Sequence, residues 1–147
     1  MSRVFVDSSA LLALLDGDDP RQDSVKAAFA DHRDADLVTH GYVVAESLAV
    51  ARRRLGIEAT VSLLDDVLPP IEILPVDAEL HATAQRLYRA SLPSATSFVD
   101  RVSLELMARD GITAALAVDP DLAQSGVTVL PPAPADDDSP QARSVQR

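Results

Sequence analysis

The chain has no cysteine among its 147 residues. That removes disulfides, thiolate metal sites and a cysteine nucleophile together, and it suits a reducing, cytoplasmic setting. Aromatic residues make up only 3%, so the core has to be built from alanine, valine, leucine and isoleucine. No segment reaches the roughly 18 apolar residues of a membrane span. The N-terminal apolar stretch is interrupted by Asp7 and Asp16, which excludes a secretory signal. Positive charge is scarce as well: 13 basic residues, of which Lys26 is the only lysine, face 23 acidic ones, for a net charge of −10. Phosphate recognition relies on lysine and arginine, so the total speaks against a nucleic-acid partner. An acidic chain can still handle phosphates if its carboxylates hold cations, which makes the positions of the acids decisive.

What is present reads as one ordinary globular domain, 47% hydrophobic and 24% charged. The run at residues 3–6 is short, apolar and β-prone, and Asp7-Ser8-Ser9 then opens a helix running from Ala10 to Leu15. Helices are expected at 21–31, 40–55, 57–67, 77–90 and 98–109, and strands at 37–39, 71–74, 114–118 and 127–130. Alternating strands and helices predict an α/β fold whose central sheet is mostly parallel and covered on both faces. From Pro131 the composition turns to proline, alanine, aspartate and serine. The expected organisation is a domain over residues 1–131 and a disordered acidic, proline-rich tail over 132–147.

Four acids stand out by position. Asp7 directly follows the first strand and Asp119 the fourth, at the carboxyl ends where open parallel sheets bind ligands. Each is equally at home as a helix or turn cap, and Pro120 is well placed after such a cap. Asp100 stands three residues after Ser97, the spacing of a capping box. Glu46 lies within the 40–55 helix, flanked at helical spacing by Tyr42, Val43 and Val50. It has no solvated face of its own, so it either pairs with an arginine or points into a cation site. Should the four converge, their repulsion requires a cation, and a donor set of hard oxygens suits Mg²⁺ or Mn²⁺. His32, His40 and His81 show no ligand spacing and read as ordinary surface or core histidines.

Taken in order, the segments resemble the PIN-domain family. Val4-Phe5-Val6-Asp7-Ser8-Ser9-Ala10-Leu11 resembles its opening motif, and Val43-Val44-Ala45-Glu46 its second. The stretch from Ser97 through Asp100, Arg101 and Ser103 to Gly111-Ile112 is similar to the third, and Ala115 to Leu122 to the fourth. Gly126 to Leu130 is similar to the closing strand. Within the family the likeness is greatest to bacterial VapC toxins. The resemblance implies a PIN-like α/β/α sandwich and an Mg²⁺-dependent endoribonuclease, the toxin of a type II toxin–antitoxin pair. It implies that Asp7, Glu46, Asp100 and Asp119 form the catalytic and metal-binding set, with Asp7 and Asp100 as direct ligands. It also implies products bearing a 3′-hydroxyl and a 5′-phosphate, RNA as substrate and an antitoxin as partner, and the expected helical hairpins suit a homodimer. Ser8 is a candidate helper, or simply a hydroxyl at a helix start. Arg101 stands where the family usually has a small residue and could face the site or a phosphate. Ala117 and Leu122 replace a hydroxyl residue and an aromatic, which leaves open whether Asp121 shares the role of Asp119. Arg52, Arg53 and Arg54 are the candidate RNA contacts, or cations complementing a helix C-terminus.

The rival readings are a non-catalytic PIN-like module that binds protein or RNA, an aspartyl-phosphate enzyme and a structure-specific DNA nuclease. The second lacks its pattern, because Ser9 stands where a dehalogenase-like phosphatase needs a second aspartate and no lysine lies near the last strand. The third belongs to longer chains.

Overall fold

The β-prone runs pair into a single sheet. The computed structural model describes residues 2–132. In it β1 (Arg3–Val6), β2 (Asp36–His40), β3 (Glu72–Leu74), β4 (Ala114–Leu116) and β5 (Thr128–Leu130) stand in the order β3-β2-β1-β4-β5. Every neighbouring pair is parallel. β1 lies in the middle of the sheet, so Val4, Phe5 and Val6 are all buried, as a strand covered on both faces requires. The connections are α1 (Ser8–Leu15), α2 (Gln22–Asp31), α3 (Gly41–Val50), α4 (Ile57–Ser62), α5 (Ala78–Ser91) and α6 (Phe98–Asp110). From β1 the chain steps one way to β2 and β3, then crosses to β4 and β5 on the far side. Right-handed crossovers in opposite directions place helices on opposite faces, which gives the expected α/β/α sandwich. The proposed tail falls, from residue 133 on, outside the described residues.

Two expected helices are divided. α3 stops at Val50, and Ala51–Leu55 winds into a π turn closed by the Gly56 N–H on the Ala51 carbonyl at 3.0 Å. Gly56 has φ +96°, a backbone that side-chain-bearing residues rarely adopt. The 57–67 helix divides in the same way: α4 ends at Ser62, and Leu63–Val67 forms a second π turn closed by the Leu68 N–H on the Leu63 carbonyl. The core is aliphatic, as the composition demands. Leu11, Val25, Val38, Leu63, Leu106 and Leu116 are fully enclosed, each contributing roughly 1.5–3 kcal/mol by burial.

The functional consequence of this topology lies between β1 and β4. These neighbours send their chains off in opposite directions, which opens a crevice at their carboxyl ends. Asp7 is the first residue beyond β1, and its N–H bonds to the Leu116 carbonyl at the end of β4.

Candidate active site

Asp7 caps α1 with one carboxylate oxygen only. Its Oδ2 accepts from the Ser9 N–H at 3.3 Å and the Ser9 hydroxyl at 2.6 Å. Its Oδ1 is buried with no hydrogen-bond partner, in a residue only 3% exposed. A buried, unsatisfied carboxylate oxygen costs several kcal/mol unless something completes it (~1–3 kcal/mol even for a neutral polar group). Burial pushes the Asp7 carboxyl above its usual range. The Ser9 bonds oppose that shift, and nearby Glu46 adds to it.

Glu46 is half-buried and finds a serine rather than an arginine. The Ser8 hydroxyl donates to its Oε1 at 2.7 Å across 38 residues of sequence. Among the described residues it has no salt bridge. Ser8 and Ser9 thus divide the work: Ser8 orients Glu46, and Ser9 orients Asp7. The Ser9 oxygen also accepts from the Val118 N–H at 3.1 Å. The expected strand over 114–118 ends two residues early, and this bond takes the N–H that a longer ladder would have satisfied. Through it the stretch leading to Asp119 is pinned to the start of α1.

Asp100 sits half-buried in the first turn of α6, where Ser97 caps the helix by accepting its N–H at 3.1 Å. Its own carboxyl is pushed up to about 6, first by burial and then by the charge of Asp7, with Asp119 and Asp121 adding to the effect. A shift of that origin places Asp100 within electrostatic reach of the other acids. Asp119 caps the short 3-10 turn Pro120–Ser125 by accepting the Asp121 N–H at 3.2 Å. Burial and Asp119 raise the Asp121 carboxyl in turn. The fold therefore gathers Asp7, Glu46, Asp100 and Asp119 around the crevice, with Asp121 beside them. Among the described residues they influence one another without closing into a cage of three or more ready ligands.

A cleft of about 560 Å³ adjoins this cluster through Ser9 and Asp119. Leu12, Ala13, Val50, Leu55 and Val118 form its apolar lining, and Arg21, Arg54, Asp16 and Asp19 its charged part. Asp7, Glu46 and Asp100 lie outside the lining. Arg21 donates from Nε and Nη2 to the two oxygens of Asp19, both at 3.0 Å, and from Nη1 to the Val118 carbonyl at 3.5 Å. Of the three consecutive arginines expected to contact RNA, only Arg54 lines the cleft. Arg101 lines a separate groove along α6 with Glu105, Gly111 and Gly126, and its Nε is buried without a partner. Ala117 and Leu122, the two departures near Asp119, are buried in the core. Sequence reasoning missed Ser9 as an orienting residue and Arg21 as a cleft residue. The adjacent Ser8-Ser9 pair was the only signal for the former, and α1 and α2 pack together in a way no local pattern announced.

The oxygen-only donor set and the orphaned Asp7 Oδ1 fit a hard divalent cation. The PIN domain model matches residues 4–127. The crystal structure of Mycobacterium tuberculosis VapC20, a sarcin-ricin loop cleaving toxin, is similar with TM-score 0.77 and 28% identity, covering 85% of this chain and 96% of that one. FitAcB from Neisseria gonorrhoeae shares the fold at TM-score 0.64 and 18% identity, covering 86% and 95%. No curated protein matches the chain.

Proposed function

The chain belongs to the PIN-domain family, and on that premise we propose that it is a divalent-metal-dependent endoribonuclease, the toxin of a toxin–antitoxin pair. One observation carries the reading: a buried carboxylate oxygen on Asp7, unpartnered, stands at the switch point of a parallel sheet with Asp100, Glu46 and Asp119 around it. In this reading Asp7 and Asp100 hold the cation, Mg²⁺ or Mn²⁺, directly. Glu46, fixed by Ser8, and Asp119 complete the acidic set. When bound, the cation supplies a water of lowered pKa and offsets negative charge on the phosphate. Ser9 keeps the open oxygen of Asp7 aimed into the crevice. The Asp100 carboxyl, raised to about 6, is still mostly ionised at neutral pH and would be available to a cation. RNA is the substrate class, by likeness to VapC20, which cleaves the sarcin-ricin loop.

The antitoxin of this reading reaches the carboxylates with an arginine or lysine. An apolar stripe on the 57–67 segment gives it a second hold: Ile57 is 62% exposed, Val61 48% and Leu64 47%. Among the described residues no helix is long and apolar enough to cross a membrane. A homodimer belongs to the same proposal.

The second reading, a PIN-like module that binds RNA or protein without cutting, draws on the open arrangement of the acids. RNA cleavage assays separate the two. Wild-type protein is expected to cut RNA with Mg²⁺ or Mn²⁺ and not with EDTA. Asp7→Asn and Asp100→Asn are each expected to cut at least ~100-fold more slowly while remaining folded. Undiminished cleavage by Asp100→Asn would remove it from the ligand set, and no cleavage by wild type would favour the second reading.

A further inference from the structure

The chain is acidic, yet a ribonuclease has to attract a polyanion. The cations near the acid cluster are few, and their surroundings distinguish them. Arg21 lies in the cleft but is engaged by both oxygens of Asp19. The attraction holds its guanidinium more firmly charged and draws the Asp19 carboxyl down, so the pair adds little net charge. Asp16 accepts the Asp18 N–H at the turn after α1. Arg52, Arg53 and Arg54 are all exposed, and Arg52 and Arg53 do not line the cleft. Arg54 does line it, and among the described residues it forms no salt bridge. It stands four residues after Val50, another residue of the lining, and residues four apart share a helix face.

We propose that Arg54 is the phosphate-binding residue of the substrate cleft, holding an RNA backbone phosphate that flanks the scissile one, while Arg52, Arg53 and the Asp19-engaged Arg21 contribute little. The cleft suits that role. Its volume falls within the roughly 300–1,000 Å³ of small-ligand sites. Its lining offers apolar surface to a sugar or base, and it meets the acid cluster at Ser9 and Asp119. Among the described residues no aromatic side chain lines it, so base stacking on a ring cannot supply the affinity and the phosphate contact has to. The proposal deepens the nuclease reading and rests on it for the identity of the ligand.

The test is binding rather than cleavage: fluorescence anisotropy of a short labelled single-stranded RNA in EDTA, across a range of KCl. Arg54→Ala is expected to weaken binding about 10-fold and to reduce the slope of log K against log salt by about 0.7, one single-strand phosphate contact. Arg54→Lys should retain the slope, since a point charge suffices for counterion release. The Arg52→Ala/Arg53→Ala double variant should stay close to wild type. The proposal is overturned if Arg54→Ala matches wild type, or if the double variant loses as much. Absence of RNA binding by wild type overturns both this proposal and the RNA reading. Arg54-dependent binding without any metal-dependent cleavage would leave the phosphate seat standing and remove the nuclease reading alone.

Discussion

Replacing Asp100 by asparagine should stabilise the metal-free protein at neutral pH. The Asp100 carboxyl is raised from 3.8 to about 6, chiefly by burial and by the charge of Asp7. The folded state therefore binds this proton more tightly than the unfolded state does. Stability from the protonated form is fully present below about pH 4 and is lost as pH rises through about 6. Two pH units correspond to a ceiling of about 3 kcal/mol. Asp100 is only half-buried, and solvent screening brings the figure to about 1–1.5 kcal/mol. A charged carboxylate in the first turn of α6 is favoured by the helix dipole by about 0.3–1 kcal/mol, in the opposite sense. The balance leaves Asp100→Asn more stable than wild type by on the order of 0.5–1 kcal/mol above pH 6 and equal to it near pH 4. In a domain of this size that is about 2–4 °C in Tm. The assay is thermal unfolding of both proteins in EDTA at pH 4, 5, 6 and 7. Added Mg²⁺ should raise the wild-type midpoint and not that of the variant. A variant about 1 kcal/mol less stable than wild type at pH 7 in EDTA would refute the reasoning, because it would make the carboxylate a structural partner. A pH-independent difference would refute it equally.

Further expectations concern the orienting residues. Ser9→Ala removes the 2.6 Å bond to Asp7 and strands the Val118 N–H. It should cost about 1–3 kcal/mol in urea unfolding and slow RNA cleavage. Full activity would show that Ser9 does not aim Asp7. His40 is buried, accepts the Tyr42 and Val43 N–H groups at the start of α3 and pairs with the Ser103 hydroxyl at 2.8 Å. Burial lowers its pKa to about 4, so wild-type stability should fall as pH drops from about 6.5 to 4, by up to ~3 kcal/mol. Urea unfolding of His40→Asn, which keeps a capping side chain, should show a shallower loss over that window. An unchanged slope would contradict the assignment.

The sheet, the element order and the positions of the acids were legible because hydrophobic period and strand ends are local properties. The capping readings of Asp7, Asp100 and Asp119 were correct and did not exclude the functional one. A carboxylate has two oxygens, and at Asp7 one caps while the other stays open. At Asp100 the cap is made by the Ser97 oxygen, which accepts the Asp100 N–H. What the sequence could not display were relations between distant segments. Glu46 was expected either to pair with an arginine or to point into a cation site, and its Oε1 accepts from the distant Ser8. The choice among Arg52, Arg53 and Arg54 depends on which face of their helix meets the cleft, although Gly56 announced where the helix ends. Arg101, read as a candidate for the site, lines another groove because α6 carries it along a different face.

The central claim is that Asp7 leaves one oxygen open for a cation. Titration calorimetry with Mn²⁺ on wild type and Asp7→Asn tests it most directly, since asparagine caps a helix as well as aspartate does and should leave the fold intact. The account predicts saturable binding at millimolar Mn²⁺ or below in wild type, lost in the variant with its circular dichroism unchanged. Absence of binding in wild type, or equal binding by both proteins, would contradict it.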